Sequence, residues 1–303
     1  MNNNQQQNWK IGLSLSLMVV FFWSTLPVAL NISLGAMDAW TLTWLRFCVA
    51  AVLTTIFILF TGSWKGFLNL SITNWLWLLL AGIMLTGNYV LFILGLARTT
   101  PGNAQVLIQL APLLMIVGGI YFYKEKFYFK QKIGTVLLIM GLLLFFSEQL
   151  DIIIKPEYKS GALIMVFAAI TWAIYALIQK KLHDVLSSQA ILAMIYILSS
   201  LALLPTITAS QLGHLDQSQW IAVSYACFNT VGAYAAFSQA LKYWAASRVG
   251  MVIAIIPVFT LLFINLMSNL FPELVQPEHI QSMGFVGIIL IVSGSMIASI
   301  GKN

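Results

Sequence analysis

Apolar runs of membrane-spanning length recur ten times along this chain, and that recurrence limits the fold more than any other feature. They cover approximately residues 11–32, 39–61, 75–97, 103–123, 133–149, 161–179, 188–209, 219–241, 249–271 and 282–300. A hydrocarbon core about 30 Å thick takes some 20 apolar residues as a helix, because it holds no water to satisfy open backbone groups. The expectation is an all-α integral membrane protein with ten transmembrane helices. Composition agrees: with 60% hydrophobic and 8% charged residues, a 303-residue soluble surface would be left largely uncovered. The run at 133–149 is the weakest, because only fifteen residues separate Lys132 from Glu148. At 1.5 Å per residue they reach roughly 22 Å, so lysines must snorkel or the bilayer must thin.

The net charge of +6 does not point to nucleic acid, because the basic residues sit in short loops between runs. With the N-terminus in the cytoplasm, that side carries Lys10, Lys65, Lys124, Lys126, Lys130, Lys132, Lys180, Lys181, Lys242, Arg248 and Lys302. The outer side carries Arg98, Lys155 and Lys159. Eleven against three predicts a multi-pass membrane protein with both termini in the cytoplasm. The acids mostly lie outside: Asp38, Glu148, Asp151, Glu157, Asp216, Glu273 and Glu278, against Glu125 and Asp184 inside. The first run ends without a clear cleavage site and nine more follow, so it reads as a retained span. Cys48 and Cys227 fall within runs and His183, His214 and His279 in loops, which gives neither a disulfide nor a metal site. No Walker, Rossmann, His-Glu metal or aspartate-rich prenyl-transfer motif is present, so no cofactor is expected and no enzyme is read here.

The second half of the chain resembles the first. "GLSLSLMVVFFW" (12–23) matches "GALIMVFAAITW" (161–172), and "GNYVLFILGL" (87–96) matches "GAYAAFSQAL" (232–241) at an offset of 145. At that offset Pro112 falls on Pro257, and "GTVLLIMG" (134–141) meets "GIILIVSG" (287–294) a little later. The matches keep their order and fall on Gly, Trp, Tyr and Pro as well as on Leu and Ile. Five spans per repeat is an odd number, so the second repeat enters the membrane inverted. Inverted repeats are an architecture of secondary transporters, with a midplane site where interrupted helices face each other.

This duplicated five-helix unit resembles the EamA domain of the drug/metabolite transporter superfamily, over residues 11–148 and 160–300. The likeness rests on Trp23 and Trp172 in the first helix of each unit and on Arg46 in the second. "GNAQVLIQLAPLL" leading to Lys124–Glu125 and the Gly134–Gly141 spacing add to it. The resemblance implies a ten-helix basket in the bacterial inner membrane that exports amino acids or related metabolites. Its central cavity would be lined by the third, fourth, eighth and ninth helices. Asn88, Tyr89, Gln105, Gln109, Asn229, Tyr234, Gln239, Gly250 and Ala254 on those helices are candidate substrate contacts, with Trp23, Trp172 and Tyr175 deeper on the first and sixth. The second repeat departs from the pattern: Tyr196 stands where an arginine would match Arg46, and either Glu273 or Glu278 is the counterpart of Glu125.

The residues leave alternatives. Gln105, Gln109 and Pro112 lie at i, i+4, i+7 on one helix face. Under the offset they fall on Gly250, Ala254 and Pro257, so an amide wall would face a wall with room for a solute. The same glutamines could instead only tie helices together. Each proline removes a donor to the carbonyl four residues back, Ile108 or Ile253, as a static kink or as a hinge. Arg46 is the one charge well inside a span, costing roughly 2.5–3.5 kcal/mol in hydrocarbon. It either caps helix-end carbonyls or pairs with Asp38 or another outer acid, or it meets an anionic substrate group. Tyr225, Asn229, Gly232, Ala236 and Gln239 make a stripe that is either close packing or a wet wall. Trp75, Trp77, Trp220 and Trp244 read as interface belt. The function expected is a secondary transporter of a small molecule, with a channel-like facilitator or exchanger, and then a membrane-embedded lipid or isoprenoid enzyme, as rivals. The oligomeric state stays open and a monomer fits.

Overall fold

The computed structural model describes residues 3–147, 156–278 and 282–300. Glu148, Asp151, Lys155, His279 and Lys302, with most of the linker at 149–160, lie outside the described residues. Within them the chain is all-α. The helices are α1 (Asn3–Ser33), α2 (Ala39–Thr61), α3 (Ile72–Leu96), α4 (Pro101–Leu107), α5 (Leu110–Tyr123) and α6 (Phe129–Ser147). They continue with α7 (Pro156–Leu182), α8 (Ser188–Leu203), α9 (Gln217–Tyr243), α10 (Ala246–Ile253), α11 (Ile256–Leu270) and α12 (Ser282–Ile300).

Among the described residues, seven helical stretches are long and apolar enough to cross a membrane, counting α4–α5 as one and α10–α11 as one. The other three of the ten apolar runs form α6, α9 and α12. Polarity sets α9 apart, not length: it has 27 residues but carries Asn229, Thr230, Ser238 and two glutamines near its start.

Helix starts follow local chemistry. Asp38 accepts from the N–H groups of Trp40 and Thr41 at 2.8 and 2.9 Å and begins α2. Thr100 accepts from Asn103 N–H ahead of Pro101, whose missing donor costs nothing at the first turn. Asp216 and Gln219 form a reciprocal capping box at α9. Gly62 ends α2 in the left-handed region, where lack of a Cβ removes the penalty.

The five largest helix interfaces pair α6 with α12, α3 with α7, α1 with α9, α2 with α8, and α5 with α10. Each joins a helix before the linker to one after it, so the halves interlock. Glycines set the closest crossing. A β-carbon at Gly141 would stand 2.6 Å from the Gly287 carbonyl oxygen, and one at Gly294 2.5 Å from that of Gly134. The glycines shared by 134–141 and 287–294 are therefore each other's packing partners. Many large apolar side chains point outward, among them Phe60, Leu68, Ile72 and Phe129. That arrangement suits lipid contact, since lipid tails are as apolar as leucine.

Candidate functional site

Two helices break at corresponding places. Between α4 and α5, Ile108 and Gln109 stay near helical dihedrals, but the bonding tightens to i→i−3: Gln109 N–H donates to Val106 and Ala111 N–H to Ile108. Between α10 and α11, Ile255 N–H donates to Val252 and Val258 N–H to Ile255. Pro112 and Pro257 follow the breaks, where the absent N–H would have continued the ladder. The Ile108 carbonyl expected to be freed by Pro112 is taken up by Ala111 at 2.8 Å.

Beside these breaks lies a cavity of ≈ 80 Å³. That is room for a small solute or roughly half a dozen waters. Trp23, Arg46, Asn88, Tyr89, Gln105, Gln109, Pro112, Trp172 and Tyr234 all face it. Two aromatic pairs related by the repeat offsets meet there: Trp23 with Trp172 and Tyr89 with Tyr234, each with ring centroids 5.5 Å apart.

Several polar groups of the lining are already engaged. Gln105 donates to the Trp23 carbonyl at 2.7 Å and Asn88 to that of Ala168 at 2.9 Å, so both tie helices together. Gln109 is 2% exposed, and its amide oxygen has no partner among the described residues. Arg46 is 2% exposed; its Nε donates to Thr230 Oγ1 at 3.0 Å and its guanidinium lies 4.5 Å from the Tyr89 ring centre. It does not pair with Asp38, whose carboxylate is occupied capping α2. Tyr196, at the position matching Arg46, donates to the Thr230 carbonyl, so both side chains converge on one residue of α9.

Other expected contacts lie outside the lining. Gly250 lets α10 close on α5: a β-carbon there would stand 3.0 Å from Met115 Cε and 3.1 Å from the Pro112 carbonyl oxygen. Ala254 packs in an apolar cluster with Val106, Leu138 and Ile291. The space expected opposite the glutamines is therefore filled by helix packing. Asn229 is buried and donates to the Phe22 carbonyl at 2.6 Å and to Tyr225, which bonds Thr25. Gly232 meets the Phe22 ring, so the α9 stripe is a close contact with α1. Tyr175 is fully buried behind Tyr234, Gln239 is half-buried towards the end of α9, and Pro257 is buried but not part of the lining. Trp244, expected at the interface, is buried against Trp9 and Gly12. The cavity also uses Leu26, Phe92, Ile253 and Ile256, which the sequence reading missed. The offset of 145 maps Ile108 and Ala111 onto Ile253 and Ile256, and that signal could have found the last two.

Reciprocal caps flank the breaks. Glu125, just past α5, accepts from the Ala246 and Ser247 N–H groups at 2.9 and 3.0 Å and so caps α10. It also pairs with Lys180 at 3.3 Å. Glu278, in the segment after α11, accepts from Gly102 N–H at 2.9 Å near the start of α4. Glu278, not Glu273, is thus the structural counterpart of Glu125. Their titrations diverge. Burial pushes Glu125 up, but donation from Ser247 side chain and backbone, Lys180 and Ala246 outweighs it and the net shift is downward. At Glu278 burial dominates the donation from Gly102 and Thr100, and the carboxyl is raised. Among the described residues no group of three or more His, Cys, Asp or Glu could hold a metal ion.

The chain is similar to proteins of known class. It is 31% identical over 295 residues to an uncharacterized transporter of Haemophilus influenzae, covering 97% of this chain and 96% of that one. It is 31% identical over 301 residues to the uncharacterized inner membrane transporter YhbE of Escherichia coli strain K12, covering 98% and 94%. A crystal structure of another protein superposes with a TM-score of 0.70 at 19% identity, over 95% of this chain and 96% of the other, which shows a shared fold. The model of the EamA-like transporter family matches residues 10–147 and 159–300, and the chain belongs to that family.

Proposed function

We propose that this transporter moves a small organic solute, an amino acid or related metabolite, out of the cell by alternating access around the central cavity. In this reading the two halves are inverted repeats of five spans each, ten in all, with both termini cytoplasmic. One observation carries it: a solute-sized cavity lies between two helices broken at corresponding places, lined by aromatic pairs that the repeat offsets relate. Broken helices facing each other near the repeat interface are how secondary transporters place substrate sites. The reciprocal caps supply the moving part. Glu125 holds α10 and Glu278 holds α4, so releasing one while keeping the other tilts one half against its partner. Substrate and lipid bilayer are the only partners required, and no chemistry is asked of the protein.

Proteoliposomes provide the test. Labelled amino acids and their deaminated analogues, presented with and without a pH gradient, should show saturable flux that Trp172→Ala reduces. Linear flux without saturation would favour a channel-like facilitator, and absence of flux for every solute class would sink the transport reading.

A further inference from the structure

We infer that the cavity recognises an organic monoanion: a carboxylate held by the Arg46 guanidinium and the Gln109 amide, with an apolar body against the aromatic rings. The inference rests on the transport reading above and narrows its substrate class from amino acids to their deaminated, monoanionic relatives. It begins with an uncompensated charge. Arg46 is almost wholly buried inside α2. The one ion pair found among the described residues joins Lys180 to Glu125, beyond the end of α5. A buried cation without a counter-ion is costly, and in membrane proteins such residues mark substrate or ion paths.

The surroundings leave part of the guanidinium available. The Tyr89 ring covers one face and Thr230 takes Nε. No other hydrogen bond of Arg46 is found among the described residues, so the Nη edge is the group left for a ligand. An arginine fork matches a carboxylate with two parallel bonds, which a lysine point charge does not.

Charge count selects among carboxylates. Among the described residues Arg46 is the sole charged side chain in the lining, and no Asp or Glu faces the cavity. A monoanion brings the filled site to neutrality. A zwitterion would bury an ammonium with no carboxylate to meet it, and a dianion would leave an excess negative charge. Gln109 supplies the second polar contact: it is buried, lines the cavity and has an unpartnered amide oxygen. No hydrogen bond of its N–H₂ is found among the described residues either, so that group is open to donate to a carboxylate oxygen. Apart from Asn88 and Gln105, whose amides are tied to backbone carbonyls, the remainder of the lining, including Trp23, Trp172, Phe92, Ile253 and Ile256, is apolar or aromatic. It suits a branched alkyl chain or a single ring.

Calorimetry on the full-length protein in lipid nanodiscs tests this with three probes of one shape: isocaproate, isocaproamide and leucine. Isocaproate should bind about tenfold or more tightly than isocaproamide, the discrimination expected for a charge-assisted bidentate contact. Arg46→Gln should abolish that preference, and Gln109→Leu should weaken isocaproate while keeping it. Equal binding of acid and amide by the wild type overturns the inference without need of any variant. So does leucine binding more tightly than isocaproate, or Arg46→Gln retaining the preference. Solute flux through proteoliposomes with no preference for acids would remove this site and leave transport standing. Tight isocaproate binding with no flux of any solute would do the reverse.

Discussion

Replacing Glu125 by alanine removes three interactions at once and gives a stability change that the structure lets one size. Two are bonds from the Ala246 and Ser247 N–H groups, at 2.9 and 3.0 Å, that satisfy the open end of α10. Loss of such a cap costs about 0.5–2 kcal/mol. The third is the contact with Lys180 at 3.3 Å, in which the two side chains are 20% and 9% exposed. A partly wetted pair of this kind contributes roughly 1 kcal/mol. Lys180 also donates to the Trp244 carbonyl at 3.3 Å, so it is not stranded and the larger penalty for a bare buried charge does not apply. The sum is about 1.5–3 kcal/mol, equivalent to a fall in Tm of roughly 3–12 °C in a chain of this size. Thermal unfolding of the purified protein in detergent, at one scan rate, measures it. Because the folded carboxyl lies below its ordinary 4.5, its contribution is present above that pH and is lost as pH falls through the lowered value. The gap between wild type and variant should narrow on acidification below pH 4.5. A Tm within about 1 °C of wild type at neutral pH, well under the span expected from the caps, would refute the reasoning. A gap that widened in acid would refute it too.

The other cap should titrate the opposite way: Glu278 is raised, so wild type should lose stability relative to Glu278→Gln as pH rises above 4.5, measured by the same melting curves. Gly141→Leu puts a side chain where a β-carbon already stands 2.6 Å from the Gly287 carbonyl oxygen; it should cost about 3 kcal/mol or more and show as aggregation on size-exclusion chromatography. Asn229→Leu unties α9 from the Phe22 carbonyl and should lower Tm, leaving the ratio of acid to amide binding unchanged. With Lys155→Cys and Asn303→Cys in a cysteine-free background, an impermeant thiol reagent outside intact cells should label the former only; the reverse result would invert the topology.

Much of the architecture was legible because a bilayer leaves a helix little choice of length, and glycine, tryptophan and proline carry position-specific geometry. The pairing of Gly134–Gly141 with Gly287–Gly294 is the same repeat signal seen in the sequence, now as contact. Nine candidate residues, including Arg46, Gln109 and Trp23, fall on one cavity. What failed was register beyond the helix break. Projecting Gly250 and Ala254 at i, i+4 assumes the two halves turn the same face inward after tightening to i→i−3. Gly250, lacking a Cβ, lets α10 press onto α5 instead, and Ile253 and Ile256 turn to the cavity. Asn229 misled because a buried amide reads the same in sequence whether it meets a solute or a carbonyl on another helix. The two caps were unreadable in full, since Glu278 and Gly102 lie 176 positions apart.

Interlocking also sets a timetable for biogenesis. A ribosome delivers Glu125 to the membrane before α10 exists, so that cap is waiting when its helix arrives. The opposite cap comes late: α4 is synthesised early, yet its N–H acceptor, Glu278, follows near the end of the chain. Arg46 likewise sits in the bilayer until α9 brings Thr230 beside it. The nascent first half therefore spends most of translation with a buried cation and an unmet Gly102 N–H exposed to lipid or to the insertion machinery. Its final closure belongs to the last stretch made, so truncation anywhere before 278 leaves the earliest break in the molecule unfinished.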